Sequence, residues 1–352
     1  MKRLKRPQYA KRRQKGNSVK FKRLLTTVDS HTEGEPTRLV TGGIPNIPGK
    51  TIAEKTEFFI KNLDYLRNAL CDEPRGHANM FTAILTSPVT GEADFGVVTM
   101  YPGGYEGMCG HGAMGIATTV VEMGIVEPKE PVTEVVFDTL GGTIHARVNV
   151  ENGKAKSVTI RNVPSFLYKT AVVKVPDLGE VPVDIAYGGN WYGIVEAKNL
   201  GIRTDVGSIQ KSLSLISQVV ESINQQVEIK HPELDYIRTE VKELLINDKP
   251  RNPKANVINI STGITGLIDR SACGTGTSAK MATLYVRGEV GLGETYVTES
   301  AIGSLFYGKL IKEVNVGGLQ AAIPEVTGRV FITGIHNFVL DEDDPFKYGF
   351  KL

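Results

Sequence analysis

The stretch Met108-Cys-Gly-His-Gly-Ala-Met-Gly-Ile-Ala117 decides the reading, because it returns in altered form as Ser271-Ala-Cys-Gly-Thr-Gly-Thr-Ser-Ala-Lys-Met281. Both carry the pattern C-G-x-G, and both lead into a run containing Ala and Met. Each run ends at a glycine fifteen residues after its cysteine, Gly124 and Gly288. A Gly-rich turn before such a run and a glycine after it read as the start and stop of a helix. Two matched cysteines on matched helix starts imply a duplicated α/β architecture, with halves that can face each other across a cleft.

The first N–H groups of a helix lack intrahelical acceptors and sit at the positive end of its dipole. A cysteine placed there is expected to have a lowered pKa and to ionise to a thiolate. The same amides bind carboxylates, and a glycine directly after the cysteine lets a ligand approach the backbone. Two such ends would clamp one carboxylate. A thiolate on one face of an α-carbon and a thiol on the other would then remove and return the α-proton with inversion. Other readings compete. Zinc needs three or four ligands at fitting spacing, and Cys109, His111 and Cys273 lack a second close pair. A Cys-His hydrolase leaves the second cysteine unexplained. A phosphate-binding loop would suit a single C-G-x-G.

Outward from these motifs, Leu24 to Asp29 reads as a strand and Thr51 to Leu70 as an amphipathic helix burying Phe58, Phe59, Leu63 and Leu66. Phe81 to Thr86 and Asp94 to Tyr101 are β-rich, and Met114 to Met123 is helical. Val132 to Ile160 supplies strands divided at Gly141-Gly142 and Asn152-Gly153. The second half repeats the plan: strands from Val172 to Val195, a helical region from Ser208 to Asn224, and strands near Asn256 to Ile260.

The length of 352 residues suits two domains, and 41% hydrophobic with 23% charged residues describes a globular chain. No run is long and apolar enough for a membrane span and no signal-peptide core is evident, so a cytoplasmic location is expected. Eleven of the 41 basic residues fall in residues 1–23, which hold no acid. They read as a disordered tail, and the remainder is net acidic, which argues against nucleic acid as the main partner. Cys71, Cys109 and Cys273 are too few for a disulfide framework. Cys71, at the end of a helical stretch, reads as a small core hydrophobe.

Met108-Cys-Gly-His-Gly112 and Asp269-Arg-Ser-Ala-Cys-Gly-Thr-Gly-Thr277 resemble the two signature motifs of the proline racemase family, which includes proline racemases and hydroxyproline epimerases. The similarity extends to Val28-Asp-Ser-His-Thr-Glu-Gly-Glu-Pro-Thr-Arg38, Pro74-Arg-Gly-His-Ala-Asn-Met-Phe81, Gly188-Gly-Asn-Trp-Tyr192 and Asp341-Glu-Asp-Asp-Pro345. The resemblance implies two pseudo-symmetric α/β domains of the diaminopimelate epimerase kind, the active site between them, a homodimer, and no pyridoxal phosphate or metal. The domains are expected at 24–160 together with about 334–352, carrying Cys109, and at 161–333, carrying Cys273. It makes Cys109 and Cys273 the acid/base thiols and puts Gly110, His111, Gly274 and Thr275 around the substrate carboxylate and amine. Asp269 would bind the ammonium, a carboxylate being its natural partner; a turn or cap is the plainer reading, and one side chain can serve both. His31, Arg75 and His77 read as scaffold, and His145, His231 and His336 receive no catalytic role.

Relatives that dehydrate trans-3-hydroxyproline replace the second cysteine with threonine, so Cys273 argues against that activity. Phe81 and Trp191 favour an apolar ring and hence proline, with 4-hydroxyproline the alternative. Two departures bear on this: Ala272 stands where relatives usually carry proline, and Ser261 to Gly266 is small and polar where proline-specific relatives tend to present an aromatic. Racemisation of another amino acid is a third reading. A non-catalytic binding protein working through the basic tail is the fourth.

Overall fold

The computed structural model describes residues 21–235 and 237–351, so most of the basic tail expected at 1–23 lies outside the described residues. In chain order the elements begin with β1 (Phe21–Thr32), β2 (Glu35–Gly42), α1 (Ile52–Cys71), β3 (Phe81–Thr86), β4 (Phe95–Tyr101), β5 (Gly104–Tyr105) and α2 (Gly110–Glu122). Next come β6 (Val132–Thr139), β7 (Gly142–Glu151), β8 (Lys154–Arg161), β9 (Ser165–Val175), β10 (Gly179–Tyr187) and β11 (Trp191–Glu196). Helices α3 (Ala197–Leu200), α4 (Val206–Lys211) and α5 (Leu213–Gln226) precede β12 (Glu243–Asp248), β13 (Val257–Gly263) and α6 (Gly274–Val286). Strands β14 (Thr295–Glu299), β15 (Leu305–Val316), β16 (Leu319–Gly328) and β17 (Val330–Asp341) complete the fold.

Two ladders emerge from the pairings. One runs β17-β1-β2-β3-β4-β6-β7-β8, the other β9-β10-β11-β12-β13-β14-β15-β16. Step by step, the senses are the same in both: antiparallel, antiparallel, parallel, antiparallel, parallel, antiparallel, antiparallel. Parallel neighbours cannot be joined by a tight turn and require a crossover. The crossovers are the helices: α1 between β2 and β3, α2 between β4 and β6, α3 to α5 between β11 and β12, and α6 between β13 and β14. This is the expected pseudo-symmetric α/β fold of the diaminopimelate epimerase kind. The second ladder closes on itself through β16 and β9, and β16 also pairs with β8, joining the halves.

A helix inside a curled sheet is expected to be largely apolar or small all round, and Lys280 is the one charged exception among the buried residues of the two helices that follow. In α2 every residue from Gly112 to Val121 is buried, and in α6 every residue from Gly274 to Leu284. Glycines make the fit possible: a Cβ at Gly112 would lie 2.2 Å from the Phe81 ring, and one at Gly115 2.8 Å from Thr37. Both helices end the same way. Gly124 and Gly288 take left-handed φ values of +66° and +73°. Their N–H groups donate to Val121 and Tyr285, and the next N–H groups, of Ile125 and Glu289, donate to Val120 and Leu284. That double bond is the Schellman termination, in which a glycine avoids the Cβ clash of the left-handed region. The helix expected at 114–123 starts four residues earlier, directly after the cysteine, because its glycine-rich first turn packs closely on Phe81 and on the facing helix start at Gly274.

Helix α1 starts at the Thr51 cap, whose hydroxyl accepts from the Glu54 N–H at 3.1 Å. It ends at Cys71, which is buried, bonded to Thr82 at 3.3 Å and pushed up to about 12 by burial, an inert core thiol.

Candidate active site

Cys109 and Cys273 are the N-caps of α2 and α6. The two helix starts meet at Gly110 and Gly274 with no side chain between them, and both cysteines face one cavity of about 490 Å³. Residues from both ladders line it, among them Phe81, His111, Trp191, Asp269, Gly274 and Thr275. All of the residues given a catalytic or substrate-binding role from the sequence therefore surround a single space.

The two caps differ in backbone. Cys109 is extended at φ −140°, whereas Cys273 sits at φ +58°, a region costly for a residue with a Cβ. Neighbouring bonds hold it there. The Ser271 hydroxyl accepts from the Cys273 N–H at 3.2 Å, and Asn259 and Thr277 donate to the Ala272 carbonyl at 2.8 and 3.0 Å.

The sulfur atoms also have different partners. Cys109 Sγ lies 3.1 Å from His111 Nδ1. Cys273 Sγ accepts from the Gly276 N–H at 3.3 Å and lies 3.3 Å from the Tyr192 hydroxyl, which is 2.7 Å from Thr275 Oγ1. The expected fall in thiol pKa is not what this environment produces. Burial pushes Cys273 up to about 12, helped by the Asp269 and Glu243 carboxylates; Tyr192 and the Gly276 amide offset only part. Cys109 is raised as well, first by burial and then by Glu106 and Asp269, with the Gly112 amide acting against them. In this site, desolvation and nearby carboxylates outweigh the helix N-termini.

Asp269 is half-buried among these groups. Its carboxylate accepts from the Ser271 N–H at 2.8 Å, so it does close a turn. Burial and Glu243 raise it to about 7, against the Ser271 bonds. Glu35, on β2, is also raised by burial and by Asp269, while its carboxylate accepts from the Arg270 N–H at 2.7 Å. Glu106 is raised to about 7, chiefly by burial. Several carboxylates around one cavity, each held above its ordinary value, suit a cationic group on the ligand.

The Phe81 ring packs edge-on against His111 at 5.1 Å and forms an apolar wall beside Cys109. Trp191 stands farther out, in an aromatic cluster with Tyr168, Tyr187 and His231, and its indole N–H donates to the Arg238 carbonyl at 2.8 Å. Successive strand residues face opposite ways, so Tyr192, not Trp191, reaches the thiol. Period-two alternation along Trp191–Glu196 was the available signal. Glu106, three residues before Cys109, and Glu243, at the head of an apolar strand, were likewise missed, although an acid beside a buried run is a marker in itself.

The histidines and arginine read as scaffold behave so. His31 accepts from the Gly34 N–H at 3.1 Å, His77 accepts from the Asn79 N–H at 3.3 Å, and Arg75 donates to the Val339 and Lys347 carbonyls. Among the described residues no group of three His, Cys, Asp or Glu is arranged to hold a metal ion, and no helix is long and apolar enough to cross a membrane.

Over residues 27–351 the sequence matches the family described as proline racemase. The chain belongs to the proline racemase family. It is 47% identical to a proline racemase of Acetoanaerobium sticklandii, over 95% of this chain and 100% of that one. It is 45% identical to a 4-hydroxyproline 2-epimerase of Streptosporangium roseum, again over 95% and 100%. The crystal structure of a hydroxyproline epimerase from Agrobacterium vitis, with bound trans-4-hydroxy-L-proline, superposes with a TM-score of 0.85 at 34% identity, covering 94% of this chain and 96% of that one. A proline racemase and a 4-hydroxyproline 2-epimerase thus both match nearly end to end.

Proposed function

We propose that the protein is a cofactor-independent racemase that interconverts L- and D-proline by two-base transfer of the α-proton between Cys109 and Cys273. The observation that carries this is the meeting of two cysteine-capped helix starts at one cavity that also contains Asp269. The substrate carboxylate is bound by the free amides around Gly110 and His111 and around Gly274 and Thr275, where both helix dipoles favour an anion. Its ammonium pairs with Asp269, which supplies the charge its surroundings lack. That positive charge also relieves the repulsion raising both thiols, so a thiolate forms more readily with substrate bound than without. One sulfur takes the α-proton and the other donates from the opposite face, and the carbanion is stabilised by the amides already on the carboxylate. Phe81 covers the ring beside His111, and Trp191 bounds the outer cavity.

A second reading, 4-hydroxyproline 2-epimerase, draws on Ser261 and Glu243. Both line the cavity, bonded to each other at 2.5 Å, and a ring hydroxyl would need such a polar partner. The family resemblance supports a cytoplasmic homodimer, and the ladders support domain limits near 160 and 330. Proton NMR in D2O with L-proline and, separately, trans-4-hydroxy-L-proline tests the function. Loss of the α-proton signal and appearance of the other stereoisomer, both abolished in Cys273→Ser, are expected with proline. Turnover of hydroxyproline alone would move the assignment to the epimerase.

A further inference from the structure

The pseudo-symmetry of the two helix starts stops at the atoms that touch sulfur. The residue two places after each cysteine approaches its thiol, but one is His111 and the other Thr275. Burial pushes His111 down to about 4, so its ring is neutral with one N–H and one lone pair, and the Pro36 carbonyl beside the ring can take only the N–H. Nδ1 is the nearer nitrogen to Cys109 Sγ, at 3.1 Å against 3.8 Å for Nε2, and is assigned the lone pair that accepts the S–H. On the other side the Tyr192 hydroxyl is 3.3 Å from Cys273 Sγ and 2.7 Å from Thr275 Oγ1, and Thr275 Oγ1 is 3.8 Å from the same sulfur. Both hydroxyls are buried, and among the described residues their only side-chain or backbone hydrogen-bond partners are each other and that sulfur. Two hydroxyl protons shared among two oxygens and a sulfur leave one directed at sulfur, and the Gly276 N–H adds a second donor.

We propose that Tyr192, with Thr275, is a positioning residue that selects Cys273 as the thiolate of the resting pair, while His111 holds Cys109 as the thiol. The assignment rests on the reading of these cysteines as the acid/base pair and deepens it. The charged and titratable groups facing Cys273 are Asp269, Glu243 and Tyr192, and those facing Cys109 are Glu106, Asp269, His111 and Cys273. Asp269 raises both, and each has one further carboxylate, Glu243 at Cys273 and Glu106 at Cys109, so the hydroxyl pair and the imidazole are what separate them. Access works the other way, because Cys273 is the more buried thiol.

The test titrates each thiol by the ultraviolet absorbance of its thiolate, in full-length Cys109→Ser and Cys273→Ser that both also carry Cys71→Ala, so that a single thiol remains in each, without substrate. Turnover is not needed, so a wrong substrate or an inactive enzyme does not affect the outcome. Cys273, alone in Cys109→Ser, is expected to ionise at lower pH than Cys109, alone in Cys273→Ser. Adding Tyr192→Phe should raise the first midpoint by about one unit, a tenfold loss of thiolate, and leave the second in place. Thr275→Val gives the same direction should Tyr192→Phe not fold. Cys109 ionising first, or a Cys273 midpoint unmoved by either substitution, would overturn the proposal.

Discussion

Gly110 and Gly274 stand backbone to backbone: a Cβ on Gly110 would lie 3.2 Å from the Gly274 Cα, and one on Gly274 would lie 3.3 Å from the Gly110 Cα. Neither neighbour is a flexible side-chain end, so a methyl group at either position must push the helix starts apart by a few tenths of an ångström. The shift falls on the amides proposed to hold the carboxylate and on the spacing of the thiols. Gly110→Ala and Gly274→Ala are each expected to lower kcat/KM by about tenfold to a hundredfold, since small misplacements cost that much in preorganised sites. Stability should change by only about 1 to 3 kcal/mol. Kinetics beside thermal melts separates the two effects; unchanged kcat/KM in both variants would show that the contact is not part of the machinery.

The raised thiol values change what alkylation should look like. A low-pKa thiolate would react with iodoacetamide at neutral pH as fast as at higher pH. With Cys273 pushed up to about 12 and Cys109 raised as well, the thiolate fraction of the free enzyme grows with each unit of pH. Inactivation without ligand is therefore expected to accelerate by about tenfold per pH unit through the neutral and mildly alkaline range. Proline should protect by occupying the cavity. A rate independent of pH across that range would show that the helix dipoles prevail after all.

The difference between expectation and structure here is physical. The C-G-x-G repeat with its closing glycines was enough to place two helices and their ends, because left-handed termination is a local rule, although α2 starts at Gly110 and not at the expected Met114. The pairing of β17 with β1 joins residues hundreds apart, and the identical order of strand senses in the two ladders depends on parallel pairings across whole helical crossovers, which local pattern does not carry. The thiol pKa failed for the same reason. A helix N-terminus is visible in the sequence, but the desolvation and the Glu106, Glu243 and Asp269 charges that outweigh it arrive only when separate segments meet. Trp191 stood out as the single tryptophan, yet strand alternation turns it toward the aromatic cluster and gives the sulfur to Tyr192.

Asp269 links the site to stability. Its carboxyl is raised from 3.8 to about 7, so between those values the folded protein binds more protons than the unfolded chain. Stability from this group is fully present below the unfolded value and is lost as pH rises through about 7. Asp269→Asn removes that dependence. The melting temperature of the variant, relative to wild type, should climb as pH rises from about 4 to about 8, by about 2 degrees or more. Glu106, raised to about 7 by burial, keeps its own share of the decline in both proteins. A constant difference in Tm across this range would contradict the raised carboxyl. Activity should meanwhile fall in the variant through KM, because the ammonium loses its partner.

The carbanion account makes a last demand on shape. When the α-proton leaves, the α-carbon flattens, and the cavity must then fit a planar centre with a sulfur on either side and the carboxylate still on the helix starts. A ring whose carboxyl-bearing carbon is planar from the outset, pyrrole-2-carboxylate, imitates that geometry and should bind more tightly than proline, by about a hundredfold if the site favours the transition state. Its ring nitrogen is neutral, so it forgoes the charge pair with Asp269, and the gain from planarity must exceed that loss. The two contributions separate in Asp269→Asn, where proline loses a charge-assisted bond and the pyrrole only an ordinary one, so the preference for the planar ring should widen. Calorimetric titration of both ligands into both proteins gives the four constants needed. Pyrrole-2-carboxylate binding no tighter than proline to the wild type would rule out a site built around a flattened α-carbon.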